Sequence, residues 1–288
     1  MRDLNYQLKN LCARNPDGSH STQADRLQIL QAMANQLYEL GYRRMAAKSL
    51  KPKHVDALVA HYLEEDLSAG TIKNRLSVLR WWAEKIGKKN VVAKDNAYYG
   101  IADRVFVTNE SKARDIDQAL LATVADPHIR MSLELQRAYG LRREEAIKFS
   151  PAFADKGDYL HLKASWCKGG RSRDIPIRND TQRDVLRRAH LVAGKGSLIP
   201  AHLMYVQQLR LYEKTTEAAG LSKLHGLRHR YAQERYQELT GLPSPACGGP
   251  SRKELNEEER ANDRVARYAI SKELGHTREQ ITAVYLGR

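Results

Sequence analysis

The spacing of apolar residues, which holds a helical step over most of the chain, limits the possible folds more than any other feature. Leu27, Leu30, Met33, Ala34, Leu37 and Leu40 recur at intervals of three and four, so they line one face of a helix starting near Ser21, with Ser21 or Thr22 as its cap. A second stretch follows Lys51-Pro52 and places Val55, Leu58, Val59, Tyr62 and Leu63 on one side. A third begins near Ser68, runs through Thr71, Ile72, Leu76, Leu79, Trp82 and Ala83, and stops at Gly87. Each apolar stripe has to be buried against another element, so the three predict a small helical bundle. The opposite face of the third helix carries Lys73, Arg75 and Arg80, a basic ridge that is expected to meet phosphates if it is not simply solvated.

The helical step is lost over Lys94-Asp95-Asn96-Ala97-Tyr98-Tyr99-Gly100-Ile101, which reads as the start of a connection and predicts two domains, 1–107 and 108–288. Beyond it, Asp115 or Asp117 opens a helix, and another spans about Pro127 to Tyr139 and ends at Gly140. Tyr159-Leu160-His161-Leu162-Lys163 and Asp174-Ile175-Pro176-Ile177, separated by Lys168-Gly169-Gly170-Arg171, predict a hairpin. The remainder is helical in pattern except residues 241–250, rich in Pro and Gly, which are expected to form an exposed loop. The fold class is therefore mostly α with a small antiparallel sheet (α+β).

Composition narrows the function. With 48 Lys+Arg against 34 Asp+Glu, the formal charge is +14, and the excess is spread over both parts of the chain. Such a balance asks for an anionic partner. At 42% apolar residues the chain can bury a core, and no apolar run approaches the ~18 residues of a membrane span. No secretory leader pattern is present at the start, so an intracellular, cytoplasmic protein associated with the nucleoid is expected. Cys12, Cys167 and Cys247 are widely spaced and read as ordinary reduced thiols. The absence of G-x-x-x-x-G-K-[ST] and of H-E-x-x-H gives no support to a P-loop or a zincin site, so the chemistry is expected to run on side chains, with no cofactor and no metal.

The polar residues of the second part mean little singly, but their order is specific. Gly140-Leu141-Arg142-Arg143-Glu144-Glu145 fits G-L-R-x-x-E, Lys168-Gly169 falls in the hairpin turn, and His225-Gly226-Leu227-Arg228-His229 fits H-x-L-R-H. Leu274-Gly275-His276 fits L-G-H, and Tyr285 stands nine residues further on. This set resembles the tyrosine recombinases of the phage integrase family over about residues 115–285. More loosely, Ser68-Ala69-Gly70-Thr71-Ile72-Lys73-Asn74-Arg75-Leu76 is similar to the helical SAM-like core-binding domain of that family. The resemblance implies a core-binding domain plus a catalytic domain that together clamp double-stranded DNA, cutting and rejoining it through a 3′-phosphotyrosyl link. It also implies a homo-oligomer, four protomers on two duplexes with a Holliday-junction intermediate, acting for integration or excision of a mobile element.

The chemistry can be argued from residue types. Reversible phosphodiester cleavage needs a nucleophile, neutralisation of the non-bridging oxygens and an acid for the departing 5′ oxygen. Arg142 and Arg228 are the candidate phosphate clamp, because a guanidinium fork donates two hydrogen bonds to one phosphate; Arg143 competes only if the register slips. As the resemblance implies, Tyr285 is the nucleophile, His225 its base, His276 a phosphate donor, Lys168 the acid, and Glu145 the residue that orients Arg142. Lys163 or Arg171 takes the place of Lys168 in another hairpin register. His229, four residues after His225, is read as a packing or hydrogen-bonding residue, since no third ligand follows at metal spacing. Arg171, Arg173 and Arg178, which flank the hairpin, are expected along the DNA backbone or in solvent.

Two departures from the family pattern stand out. The interval from Arg228 to Leu274 is longer than usual, through residues 241–250 and the charged stretch Lys253-Glu254-Leu255-Asn256-Glu257-Glu258-Glu259-Arg260, and only three residues follow Tyr285. A type IB topoisomerase uses the same kind of arginine, histidine and tyrosine site and is the alternative reading; a non-catalytic DNA-binding accessory protein on the same scaffold is another.

Overall fold

The computed structural model describes residues 2–276 and 278–288 and is mostly helical, with one two-stranded antiparallel sheet. The chain divides into two compact units, Met1–Val105 and Phe106–Arg288. Among the described residues no helix is long and apolar enough to cross a membrane.

The first unit consists of α1 (Asp3–Arg14), α2 (His20–Glu39), α3 (Pro52–Glu64) and α4 (Ala69–Lys85). Helix α2 starts before the expected Ser21: the Ser19 hydroxyl accepts from the Thr22 amide, an N-cap, and Leu30, Met33, Ala34 and Leu37 form its buried stripe. Pro52 occupies the first turn of α3, where its missing amide costs nothing, and Ser68 caps α4 through the Thr71 amide. Trp82 is fully buried, its indole N–H donating to the Ala47 carbonyl at 3.0 Å. Apolar spacing alone does not mark α1, where Leu4 and Leu8 are buried beside Asn5, whose side-chain amide donates to Gln31 Oε1 of α2 at 2.8 Å and whose backbone carbonyl accepts from Gln31 Nε2 at 2.9 Å.

The second unit runs α5 (Gln118–Ala122), α6 (Pro127–Tyr139), α7 (Arg143–Ile147), α8 (Pro151–Ala154), β1 (Tyr159–Leu162), β2 (Arg173–Pro176), α9 (Asp180–Ala193), α10 (Tyr205–Ala218), α11 (Gly226–Thr240), α12 (Glu257–Glu273) and α13 (Ala283–Leu286). Asp117 caps α5 and Asp126 caps α6. In the hairpin Leu160 pairs with Ile175 and Leu162 with Arg173, and these four residues are buried. The core of this unit joins Leu135, Phe149, Leu160, Ile175, Leu186, Tyr231 and Ile270, with Leu286 of the last helix packed into it.

Residues 241–250 form a loop that is only partly exposed: Gly241, Pro243, Cys247 and Gly248 face solvent, but its middle does not. Ser244, Pro245 and Ala246 are buried in a tight turn closed by the Cys247 and Gly249 amides donating to the Ser244 carbonyl at 2.8 and 3.0 Å. A Cβ on Gly249 would stand 1.8 Å from the Pro243 carbonyl oxygen, so the glycine is there for close backbone approach rather than for flexibility.

Candidate functional site

Local chain geometry places each member of the site. Helix α6 ends on Gly140 in the left-handed conformation (φ 61°), and a Cβ there would meet the Tyr231 ring at 2.7 Å. The chain turns through buried Leu141 and starts α7 at Arg142, whose amide donates to Glu145 at 2.7 Å, the backbone half of a capping box. Glu145, fully buried, also accepts from the Arg142 guanidinium at 2.8 Å and from both terminal nitrogens of Arg173 at 2.8 and 2.7 Å. Burial pushes the Glu145 carboxyl up, but the hydrogen bonds from Arg173 and the charges of Arg173, Arg228 and Arg142 outweigh it and hold the pKa down at about 2.

Arg228, in the first turn of α11, is 1% exposed and donates to the Gly140 carbonyl at 2.6 Å and to the Leu274 carbonyl. Arg142 donates to the same Leu274 carbonyl at 3.2 Å. The two guanidiniums therefore meet at the C-terminal end of α12, where the partial negative charge of the helix partly offsets them. Arg228 Nε is buried with no hydrogen-bond partner, and burial together with the Arg142 charge lowers the Arg228 pKa to about 10. Three arginines around one carboxylate leave positive charge uncompensated, which is the electrostatic signature of an anion site.

Tyr285 lies on α13, 6% exposed, with its hydroxyl 3.1 Å from His225 Nε2. The His276 ring stacks on it at 5.3 Å, the His229 ring lies at 4.4 Å, and the Arg228 guanidinium is 5.9 Å from the ring centre. Gly275 (φ 64°) turns the chain from α12 to His276, whose Nδ1 pairs with Thr282 Oγ1 at 3.2 Å. Burial, followed by the charges of Arg228 and Arg142, lowers the pKa of His225 and takes that of His276 to about 3. Burial and His225 lower His229 to about 4. Neutral imidazole is the form in which His225 can accept a phenolic proton.

These shifts fix the sign of a pH effect on stability. The folded-state pKa values of His229 and His276 lie below the ordinary value near 6.5, so as pH falls from about 6.5 the unfolded chain takes up protons that the folded chain does not, and stability is lost until pH reaches their folded values. The urea midpoint is expected to fall between pH 7 and pH 5, and to fall less in a His229→Gln, His276→Gln variant. Equal losses in the two proteins would contradict this account.

The structure thus brings together Arg142, Glu145, His225, Arg228, His276 and Tyr285, and adds His229 to them. Lys168 is exposed in the connection between β1 and β2 and makes no hydrogen bond or ion pair with a described residue; Arg171 is exposed there in the same way. Arg173, expected along the DNA backbone, is buried instead, its Nε on the Glu273 carbonyl at 2.7 Å and its fork on Glu145. The strand period accounts for it: Arg173 and Ile175 share the inward face of β2. Arg178, expected beside it, pairs with Glu238.

In the first unit, the expected basic ridge on α4 is occupied by its own chain. Lys73 pairs with Asp103 at 3.0 Å, Arg75 lies 4.4 Å over the Tyr62 ring, and Arg80 donates to the Ala93 carbonyl and to Asn96. Arg43, Arg44, Lys48, Lys51 and Lys53, in the α2–α3 connection and the start of α3, form a run of exposed cations that make no ion pair with a described residue. A pocket of about 450 Å³ lies among four of them, beside Tyr42 and buried His54. Burial first, then the charges of Lys53 and Lys51, lowers the His54 pKa, a sign of positive potential there. The sequence carries the signal: no acidic residue occurs between Glu39 and Asp56.

Comparison with known proteins places this geometry in context. The family model described as phage integrase, N-terminal, matches residues 1–92, and the one described as integrase matches residues 104–234. No curated protein matches the chain in sequence. Among solved structures it is similar to a lambda integrase dimer bound to a COC' core site (TM-score 0.65, 16% identity, covering 99% of this chain and 78% of that one). A lambda integrase tetramer bound to a Holliday junction gives 0.63, 16%, 99% and 78%, and the XerH site-specific recombinase bound to palindromic difH substrate gives 0.59, 15%, 99% and 81%.

Proposed function

Because this chain belongs to the phage integrase family of tyrosine recombinases, we propose that it is a DNA strand-breaking and rejoining enzyme that acts on duplex DNA through a 3′-phosphotyrosyl intermediate. The observation that carries this reading is the convergence of Tyr285, His225, Arg228 and Arg142 in one place. His225 accepts the phenolic proton as Tyr285 attacks phosphorus. Arg142 and Arg228 neutralise the non-bridging oxygens, Arg142 being the one left partly exposed. The departing 5′ oxygen takes a proton from Lys168, which reaches it from the hairpin connection. The bond energy is kept in the phosphotyrosyl link, so a second 5′ hydroxyl reverses the step onto a new strand without ATP.

Site-specific integration or excision by a homo-oligomer is favoured over relaxation, because the similar solved structures include a lambda integrase tetramer on a Holliday junction and a recombinase on its difH site. The test is covalent capture on a nicked suicide duplex, read on a denaturing gel. A protein–DNA adduct is expected, and its absence would overturn the proposal. Capture that requires no particular sequence would favour the topoisomerase reading.

The duplex backbone is held in the first unit by Arg43, Arg44, Lys48, Lys51 and Lys53, a run of exposed cations without an ion pair in a stretch that holds no acidic residue. Each phosphate contact contributes about 0.9 to the slope of log affinity against log salt. The Arg44→Ala, Lys51→Ala, Lys53→Ala variant is therefore expected to lose two to three units of slope at roughly this increment per contact. A slope equal to that of the unaltered protein would place the backbone elsewhere.

A further inference from the structure

The reaction needs the Tyr285 oxygen held opposite His225, yet α13 is a single turn of 4 residues. A helix that short has no stability of its own, so whatever grips it decides where the oxygen lies. Gln233 of α11, 7% exposed, donates from Nε2 to the Tyr285 carbonyl at 2.9 Å. Its Oε1 accepts from Ser111 Oγ at 2.9 Å and from Cys247 Sγ at 3.1 Å. The amide orientation follows from these partners, because a carbonyl requires a donor while the hydroxyl and thiol supply protons. Beyond Tyr285, a Cβ on Gly287 would stand 2.7 Å from the Ala246 nitrogen, and the Gly287 carbonyl accepts from Arg267 at 2.9 Å. The turn of residues 244–249, buried at Ser244, Pro245 and Ala246, thus touches the nucleophile's helix twice, once through Gln233 and once directly.

We infer that Gln233 is a positioning residue for Tyr285, and that the 244–249 turn, part of the segment that lengthens the Arg228–Leu274 interval, supports it through Cys247. The inference rests on Tyr285 being the nucleophile. Gln233→Glu keeps the shape and the two acceptor contacts but sets a carboxylate against the Tyr285 carbonyl. Its adduct formation is expected to slow about 10- to 100-fold, the order reached by a 1 Å misplacement, while duplex affinity holds. The deficit relative to the unaltered protein at the same pH is expected to shrink as pH falls, because the protonated carboxyl can donate again. Hydrogen exchange at the Tyr285 and Leu286 amides is expected to quicken, with the rest of α11 unchanged. Cys247→Ser, which keeps a donor, is expected to react as the unaltered protein does, and Cys247→Val to react more slowly.

Unaltered adduct rate and exchange in Gln233→Glu would overturn the role of Gln233, and equal rates for the two Cys247 variants would overturn the support from the turn. If the unaltered protein forms no adduct, the nucleophile reading fails by itself, and the exchange measurement on DNA-free protein still decides whether Gln233 holds α13.

Discussion

Tyr285→Phe is expected to abolish covalent capture of a suicide duplex, a loss on the order of 10⁴ or more in rate, the scale seen when a nucleophile is removed. The substitution takes away one oxygen and little else. The ring keeps its place between His276 at 5.3 Å and His229 at 4.4 Å, so folding and packing are preserved. His225 Nε2, 3.1 Å from that oxygen, has no phenol left to deprotonate. Duplex binding at matched salt is expected to persist, because the cations that hold phosphates are untouched. A denaturing gel separates the outcomes: adduct at undiminished yield from the phenylalanine variant would mean that another side chain attacks, and the proposed mechanism would fall.

Glu145→Ala is expected to produce the largest loss of stability. The carboxylate is fully buried and joins the Arg142 amide, the Arg142 guanidinium and the Arg173 fork, so its removal leaves charged donors inside the protein without their partner. Breaking a buried pair from one side typically costs about 3–5 kcal/mol, a large part of the roughly 5–15 kcal/mol that holds a domain together. The same carboxylate sets a pH dependence. Its folded-state pKa of about 2 lies below the ordinary 4.5, so its contribution is complete above about pH 4.5 and is lost as pH falls toward 2. Glu145→Gln is expected to lose this acid-range dependence while keeping the shape of the site. Urea unfolding at pH 7 measures the first effect; a midpoint unchanged in Glu145→Ala would mean that Arg142 and Arg173 find other partners at no cost.

Much of this protein is written locally. Asp126-Pro127 opens α6 and Gly140 closes it, as caps and a left-handed stop require. Leu160 and Ile175 mark a hairpin, and the intervals within H-x-L-R-H put His225, Arg228 and His229 on one side of a helix. The burial of Ser244, Pro245 and Ala246 within 241–250 was not legible in this way, because Pro, Gly and Ser suit an exposed turn and a close-packed one equally well. Nor was α1, which is held by Asn5 and Gln31 across two helices.

What the sequence by itself determined is most of the elements, the class of fold and the order of the groups that carry the chemistry, all of which follow from periodicity, capping and spacing within a few residues. What only the tertiary structure decided is which charges are spent inside the molecule and which remain for a ligand. Lys73 is matched by Asp103, Arg80 by Ala93 and Asn96, and Arg173 by Glu145, whereas Arg43, Arg44 and Lys51 meet no acid. The physical reason is range: a helix or a turn is chosen by neighbours along the chain, but a side-chain charge is neutralised by whatever the fold brings within about 4 Å, and those partners lie tens of residues away.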